Sequence, residues 1–194
     1  VGQNPPPGGV FHYVVVEELA TSGGLTLPVC DPEGDVVREF SSADGEGAAR
    51  LSSEPGLRRF VWDATTEPVA KVPGQFLYGG DGTYHVEPGI YTVKLTCGET
   101  TLTQALELLE DPRLEALDYT EQQDLMSKLS AMVDDMHQSV VALEAVREQI
   151  EAQRPGWDDE ALVKRAEELA EAMKAWESEI VQRDQKTFQD VISF

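Results

Sequence analysis

Two periodicities divide the chain. From Val10 to about Leu109, apolar residues alternate with polar ones over short runs separated by Gly, Pro, Asp and Ser. From Tyr119 onward they recur at every third or fourth position. The first pattern is that of half-buried strands and the second that of amphipathic helices.

The alternating region predicts strands at Val10 to Leu19, Leu25 to Val29, Val36 to Ser41, Leu57 to Asp63, Gly89 to Cys97 and Thr100 to Leu109. Turn chemistry supports each boundary: Ser22-Gly23-Gly24, Asp31-Pro32-Glu33-Gly34 and Gly98-Glu99 all bend a chain readily. In the fourth strand Phe60 and Trp62 share a face, and Trp62 is expected to be buried. Between Ala64 and Pro88, Gly and Pro break any period, so this segment is an irregular excursion. Six or seven short strands over roughly 110 residues predict an immunoglobulin-like antiparallel β-sandwich.

In the second region Leu125, Leu129, Met132, Met136, Val140, Leu143, Val146 and Ile150 form one helical stripe, and Pro155-Gly156 ends it. Leu162, Ala166, Leu169, Met173, Trp176 and Ile180 form another, capped by Asp158 or Asp159. Neither stripe is stable facing water, so the helices, over about 119–153 and 158–189, are expected to bury their stripes against each other. The fold class predicted is therefore α+β: a linker at 1–9, a sandwich at 10–112 and a long antiparallel α-helical hairpin at 113–194.

Charge narrows the partners. The 194 residues include 36 acidic and 15 basic ones, a net charge of -21, and both halves are acidic. A nucleic-acid partner needs clustered cations and is not expected. No apolar run approaches the roughly 20 residues of a membrane helix, so no membrane span is expected. Val1 is followed by no charged and apolar leader, so a mature or excised piece is expected.

Candidate chemistry is sparse. Glu17, Glu18, Asp63 and Glu67 lie near strand ends, where a glycosidase would place an acid and base, but solvated surface acids are the simpler account. His12, His85 and His137 show no metalloprotease spacing, and Asp134 with His137 at i and i+3 is only a minimal ligand pair. Cys30 falls on the opposite strand face from Leu25, Leu27 and Val29, whereas Cys97 continues the apolar face of Tyr91, Val93 and Leu95. Two unbridged thiols are expected. No catalytic, metal or cofactor residue is assigned. Tyr78, Tyr84 and Trp157 are candidate interaction residues, because aromatic rings stack on sugars and anchor interfaces. Trp176 lies on the helical stripe and is expected to pack.

Four segments, in order, resemble one family. Asn4-Pro5-Pro6-Pro7-Gly8-Gly9-Val10-Phe11-His12-Tyr13 is similar to the Asn-Pro-Pro-x-Gly-Ala-x-Ile-x-Tyr approach to the C-terminal region of BNR/sortilin-repeat, glycosyl-hydrolase-like propeller proteins. Leu25-x-Leu27-x-Val29-x-Asp31-x-x-Gly34-x-Val36-Val37-Arg38 resembles that family's second hairpin, and Gly56-Leu57-Arg58-Arg59-Phe60-Val61-Trp62-Asp63 its Gly-Leu-Asn-Arg-Phe-x-Trp-Asp strand. Pro88-Gly89-Ile90-Tyr91-Thr92-Val93-Lys94-Leu95, then Asp111-Pro112-Arg113, resembles its last hairpin and exit. The excursion from Ala64 to Pro88 has no counterpart in that pattern. The resemblance implies an accessory C-terminal module of a large exported, extracytoplasmic bacterial protein, whose hydrolase activity would reside in an upstream propeller. The implied partners are that propeller and a second copy through the helices; a carbohydrate-binding module is the alternative.

Overall fold

The computed structural model describes residues 8–17, 24–43, 50–75, 80–113 and 118–181. They form an α+β architecture of six strands in two antiparallel sheets, and two helices. The strands are β1 (Gly9–Val15), β2 (Leu25–Cys30), β3 (Val36–Ser41), β4 (Gly56–Trp62), β5 (Gly89–Cys97) and β6 (Thr100–Leu108). The helices are α1 (Thr120–Gln153) and α2 (Glu160–Ile180). Two compact units result: residues up to Glu67 with Thr83–Asp124, and Pro68–Gly82 with residues from Leu125 on.

In the first unit β1 pairs with β4, and the second sheet has the order β3-β2-β5-β6. The arrangement is sandwich-like because the alternating faces of both sheets point into one core. Tyr13, Val15, Phe60 and Trp62 come from one sheet and Leu25, Leu27, Val29, Phe40, Tyr91 and Val93 from the other. Trp62 is fully buried; its ring meets Tyr91 edge-on at 5.6 Å, and its Nε1–H donates to the Thr65 carbonyl at 2.8 Å. A buried indole needs that acceptor. The first strand stops at Val15, short of the expected Leu19, because its partner begins at Gly56 and no β4 residue remains to pair with Val16. Leu19 itself lies outside the described residues.

The feet of the excursion join the first unit. Thr65 bridges His85, the Thr66 amide donates to the Tyr84 carbonyl at 3.0 Å, and the Val86 amide donates to the Ala64 carbonyl at 2.9 Å. Its middle belongs to the second unit. There Val72 packs with Val140 and Val181, and the Val69 amide donates to the Asp81 carbonyl at 2.9 Å. Nothing in the Gly- and Pro-rich sequence announces this division.

Within the second unit, α1 ends where Pro155 opens a short 3-10 turn, Arg154–Gly156. Asp159 then caps α2, its carboxylate accepting the Ala161 and Leu162 amides at 2.9 and 3.2 Å. Arg147 Nη1 donates to Glu177 Oε2 at 2.7 Å, and Arg154 reaches Glu167. Val181 is extended, which closes α2 at Ile180; positions 182–189 of the expected helix lie outside the described residues.

Candidate functional site

One concavity lies in the first unit. A cleft of about 600 Å³ is lined by β1, β6 and the floor residues Leu27, Val93 and Leu95. It forms because β1 and β6 are both terminal strands of their sheets among the described residues. With no strand beyond them, the core opens along that side. The lining is almost wholly uncharged, with Phe11, Leu102 and Leu106 on its walls. Such a surface buries apolar groups and offers main-chain hydrogen bonds; it presents no acid and base pair.

The strand-end carboxylates are committed to local contacts. Asp63 Oδ1 accepts the Thr65 hydroxyl at 2.7 Å, and Glu67 Oε2 accepts the Glu39 amide at 3.0 Å. Glu17 is exposed and Glu18 lies outside the described residues. Glu17, Asp63 and Glu67 therefore do not line the cleft.

Asp134 and His137, the minimal ligand pair, hold a backbone segment. Asp134 Oδ1 accepts the Ala70 amide at 2.6 Å, while His137 Nδ1 lies 2.7 Å from the Ala70 carbonyl, to which its N–H donates. One helical turn thus satisfies both polar groups of Ala70, which explains why His137 is buried. Among the described residues no group of three or more metal-ligating side chains occurs. Sequence spacing alone carried no signal of this clamp.

Of the aromatic candidates, Tyr78 lies outside the described residues. Tyr84 belongs to the first unit and is half-buried, its amide donating to Thr66 Oγ1 at 3.2 Å. Trp157 belongs to the second unit and is half-buried behind the 3-10 turn. Trp176, expected to pack, is 42 % exposed. The reason is its position on the flank of its stripe, since Ala166 and Glu177 occupy the buried side of α2.

Cys30 and Cys97 are both buried and form no disulfide. They sit toward opposite ends of neighbouring strands, Cys30 opposite Thr92 and Cys97 opposite Leu25. Tyr91 is the group most altered by its surroundings. Burial pushes its hydroxyl up to about 12, helped by the Glu87, Asp31 and Glu33 carboxylates. It donates to the Glu87 carbonyl at 2.8 Å. Asp111 is held down to about 2 by hydrogen bonds from Arg113. Among the described residues no helix is long and apolar enough to cross a membrane.

Comparison with protein-family models, with curated proteins and with solved structures gave no match to this chain.

Proposed function

We propose that this chain is a non-catalytic accessory module of a larger exported bacterial protein, of the BNR/sortilin-repeat type, acting through packing and protein–protein contacts. The observation that carries the proposal is the apolar line left uncovered on the helical unit. Leu162, Leu169 and Trp176 recur at heptad spacing on α2 and are all exposed, as are Leu125, Leu129, Met132 and Met136 on α1. Single exposed apolar residues need no explanation, whereas a contiguous row marks a surface that another body covers.

Two finer features of the fold belong to the same reading. An antiparallel helical hairpin accounts for the three helix contacts, Val140 with Val181, Arg147 with Glu177 and Arg154 with Glu167, because one residue number falls as the other rises. An immunoglobulin-like sandwich accounts for β1 and β4 sharing one sheet while β2, β5 and β6 share the other, as strands B and E, and C, F and G, do in that fold. Tyr91 supports it further. A tyrosine at the start of strand F bonding backward to the main chain is a hallmark of such sandwiches, and Tyr91 bonds to Glu87 in that manner.

The test is site-specific photo-crosslinking in the full-length parent protein. A crosslinking residue at Leu169 is expected to trap a neighbouring body, whereas one at exposed Glu171 is not. Equal yields at both positions would remove the helical line as a contact surface.

A further inference from the structure

The two edges of the four-stranded sheet differ in how they meet solvent. The β3 edge is guarded. It carries Arg38 and Glu39, and a register shift interrupts its pairing with β2 between Val29 and Cys30. The chain at 66–67 also lies along it: the Glu67 amide donates to the Val37 carbonyl at 2.9 Å, Glu67 Oε2 accepts the Glu39 amide at 3.0 Å, and Arg38 donates to the Thr66 carbonyl. Charges, bulges and covering segments are the usual protections of a sheet edge.

Among the described residues the β6 edge has neither a bulge nor a covering segment, and little charge. Its nine residues, Thr100–Leu108, contain one charge, Glu107, and no proline. Its register against β5 is unbroken from Gly89↔Leu108 to Cys97↔Thr100. This neutrality stands out in a chain of net charge -21. Along the inward face run Leu102, Gln104, Leu106 and Leu108; the last two pack on the core while Leu102 is 65 % exposed at the mouth of the cleft.

We infer that β6 is an interface for a second copy of this chain, pairing antiparallel with its counterpart across a two-fold axis at Gln104. The two-residue Gly98-Glu99 turn makes Cys97 and Thr100 a hydrogen-bonded pair, so alternate residues from Thr100 on spend their main-chain groups on β5. Thr101, Thr103, Ala105 and Glu107 then direct theirs to the open edge. A two-fold axis at Gln104 sets Thr103 opposite Ala105 of the second copy and Thr101 opposite Glu107, so every outward amide meets an outward carbonyl. On the inward face it sets Leu102 opposite Leu106, which covers the exposed side chain at the cleft mouth.

Charge chooses the register as well. Moving the axis to Thr103 would place Glu99 opposite Glu107 of the second copy, a like-charge pair that sheets disfavour. With the axis at Gln104 the only charged residue of β6 faces a threonine.

The experiment is sedimentation equilibrium of the whole chain over about a hundredfold concentration range, since association follows mass action. The expected result is a species of twice the 21.3 kDa chain mass. Ala105→Pro removes one outward amide and no β5 hydrogen bond, so it should abolish the dimer while leaving the circular dichroism unchanged. Thr103→Lys, which guards the edge with a charge, should do the same and decides the matter if Ala105→Pro fails to fold. Gln104→Cys should form an intermolecular disulfide on oxidation and Thr101→Cys should not, because only Gln104 faces its own copy at the short, non-hydrogen-bonded spacing. A monomer at every concentration would overturn the proposal. So would a dimer that survives both edge variants, or one lost only in Leu169→Lys, which would put the contact on the helices.

Discussion

Tyr91 joins packing, hydrogen bonding and titration in one side chain. Its ring is buried against Trp62 and its hydroxyl donates to the Glu87 carbonyl at 2.8 Å. Burial raises its pKa from an ordinary 10.0 to about 12. A group whose folded pKa is raised contributes stability that is present below its unfolded value and lost as pH rises toward the folded one. The window for Tyr91 is therefore about pH 10 to 12. In a spectrophotometric titration at alkaline pH, one tyrosine is expected to ionise last and together with unfolding. Tyr91→Phe should cost about 0.5–1.5 kcal/mol at neutral pH, the worth of one hydrogen bond. It should also remove that late-ionising component. A variant whose unfolding still coincides with ionisation of a late tyrosine would show that another residue is responsible.

At the level of elements, the clamp on Ala70 is the most specific device in the helical unit. Asp134 and His137 satisfy its amide and carbonyl from one turn of α1. Asp134→Ala leaves the Ala70 amide without its acceptor and should cost about 1–3 kcal/mol, whereas Asp134→Asn keeps an oxygen in place and should cost less. Hydrogen exchange should report the loss first at Ala70 and Val72. The Arg147 to Glu177 pair behaves differently, because Glu177 is buried. Glu177→Leu alone strands the arginine and is expected to destabilise by about 1–3 kcal/mol, while Arg147→Met with Glu177→Leu should come close to neutral. A double variant as weak as the single one would assign Glu177 a larger structural role. The six strands were legible in the sequence because their apolar residues alternate between turn signals; β3 and β5 match the expected bounds to the residue. The Asp134 and His137 clamp was not legible, since a backbone partner sixty-four positions away leaves no mark on helical spacing. Exposure of Trp176 was equally hidden, because stripe membership fixes a side of the helix and not how far its partner reaches. α1 has 34 residues and α2 has 21, a difference in length of roughly 20 Å at about 1.5 Å per residue. The exposed Leu125, Leu129 and Met132 lie toward the start of the longer helix.

Across the whole molecule, burial is unevenly shared. The sheet unit holds a core that includes Trp62, Phe40, Phe60, Tyr91, Leu25, Leu27 and Leu51, whereas the helical unit buries a cluster of Val72, Val140 and Val181. Aromatic and leucine side chains contribute most of the stabilisation available from burial, about 1.5–3 kcal/mol each when fully covered. Among the described residues the helical unit thus buries less apolar area, and it is expected to open first, since local opening starts where buried apolar area is least. Net charge adds to the difference. At -21 the chain repels itself, and on the long acidic helices scattered ion pairs offset part of that repulsion. In a Trp157→Phe, Trp176→Phe variant, which leaves Trp62 as the fluorophore, thermal unfolding followed at 222 nm, where helices dominate, should fall before the fluorescence of buried Trp62 shifts. Added salt should move the first transition upward more than the second, because screening acts on exposed charge. Superimposable transitions would mean that the two units unfold as one. If the chain is the accessory module proposed above, the first transition is expected to rise toward the second in the longer protein, because a neighbouring domain would then cover the apolar line from Leu162 to Trp176; an unchanged first transition would count against that reading.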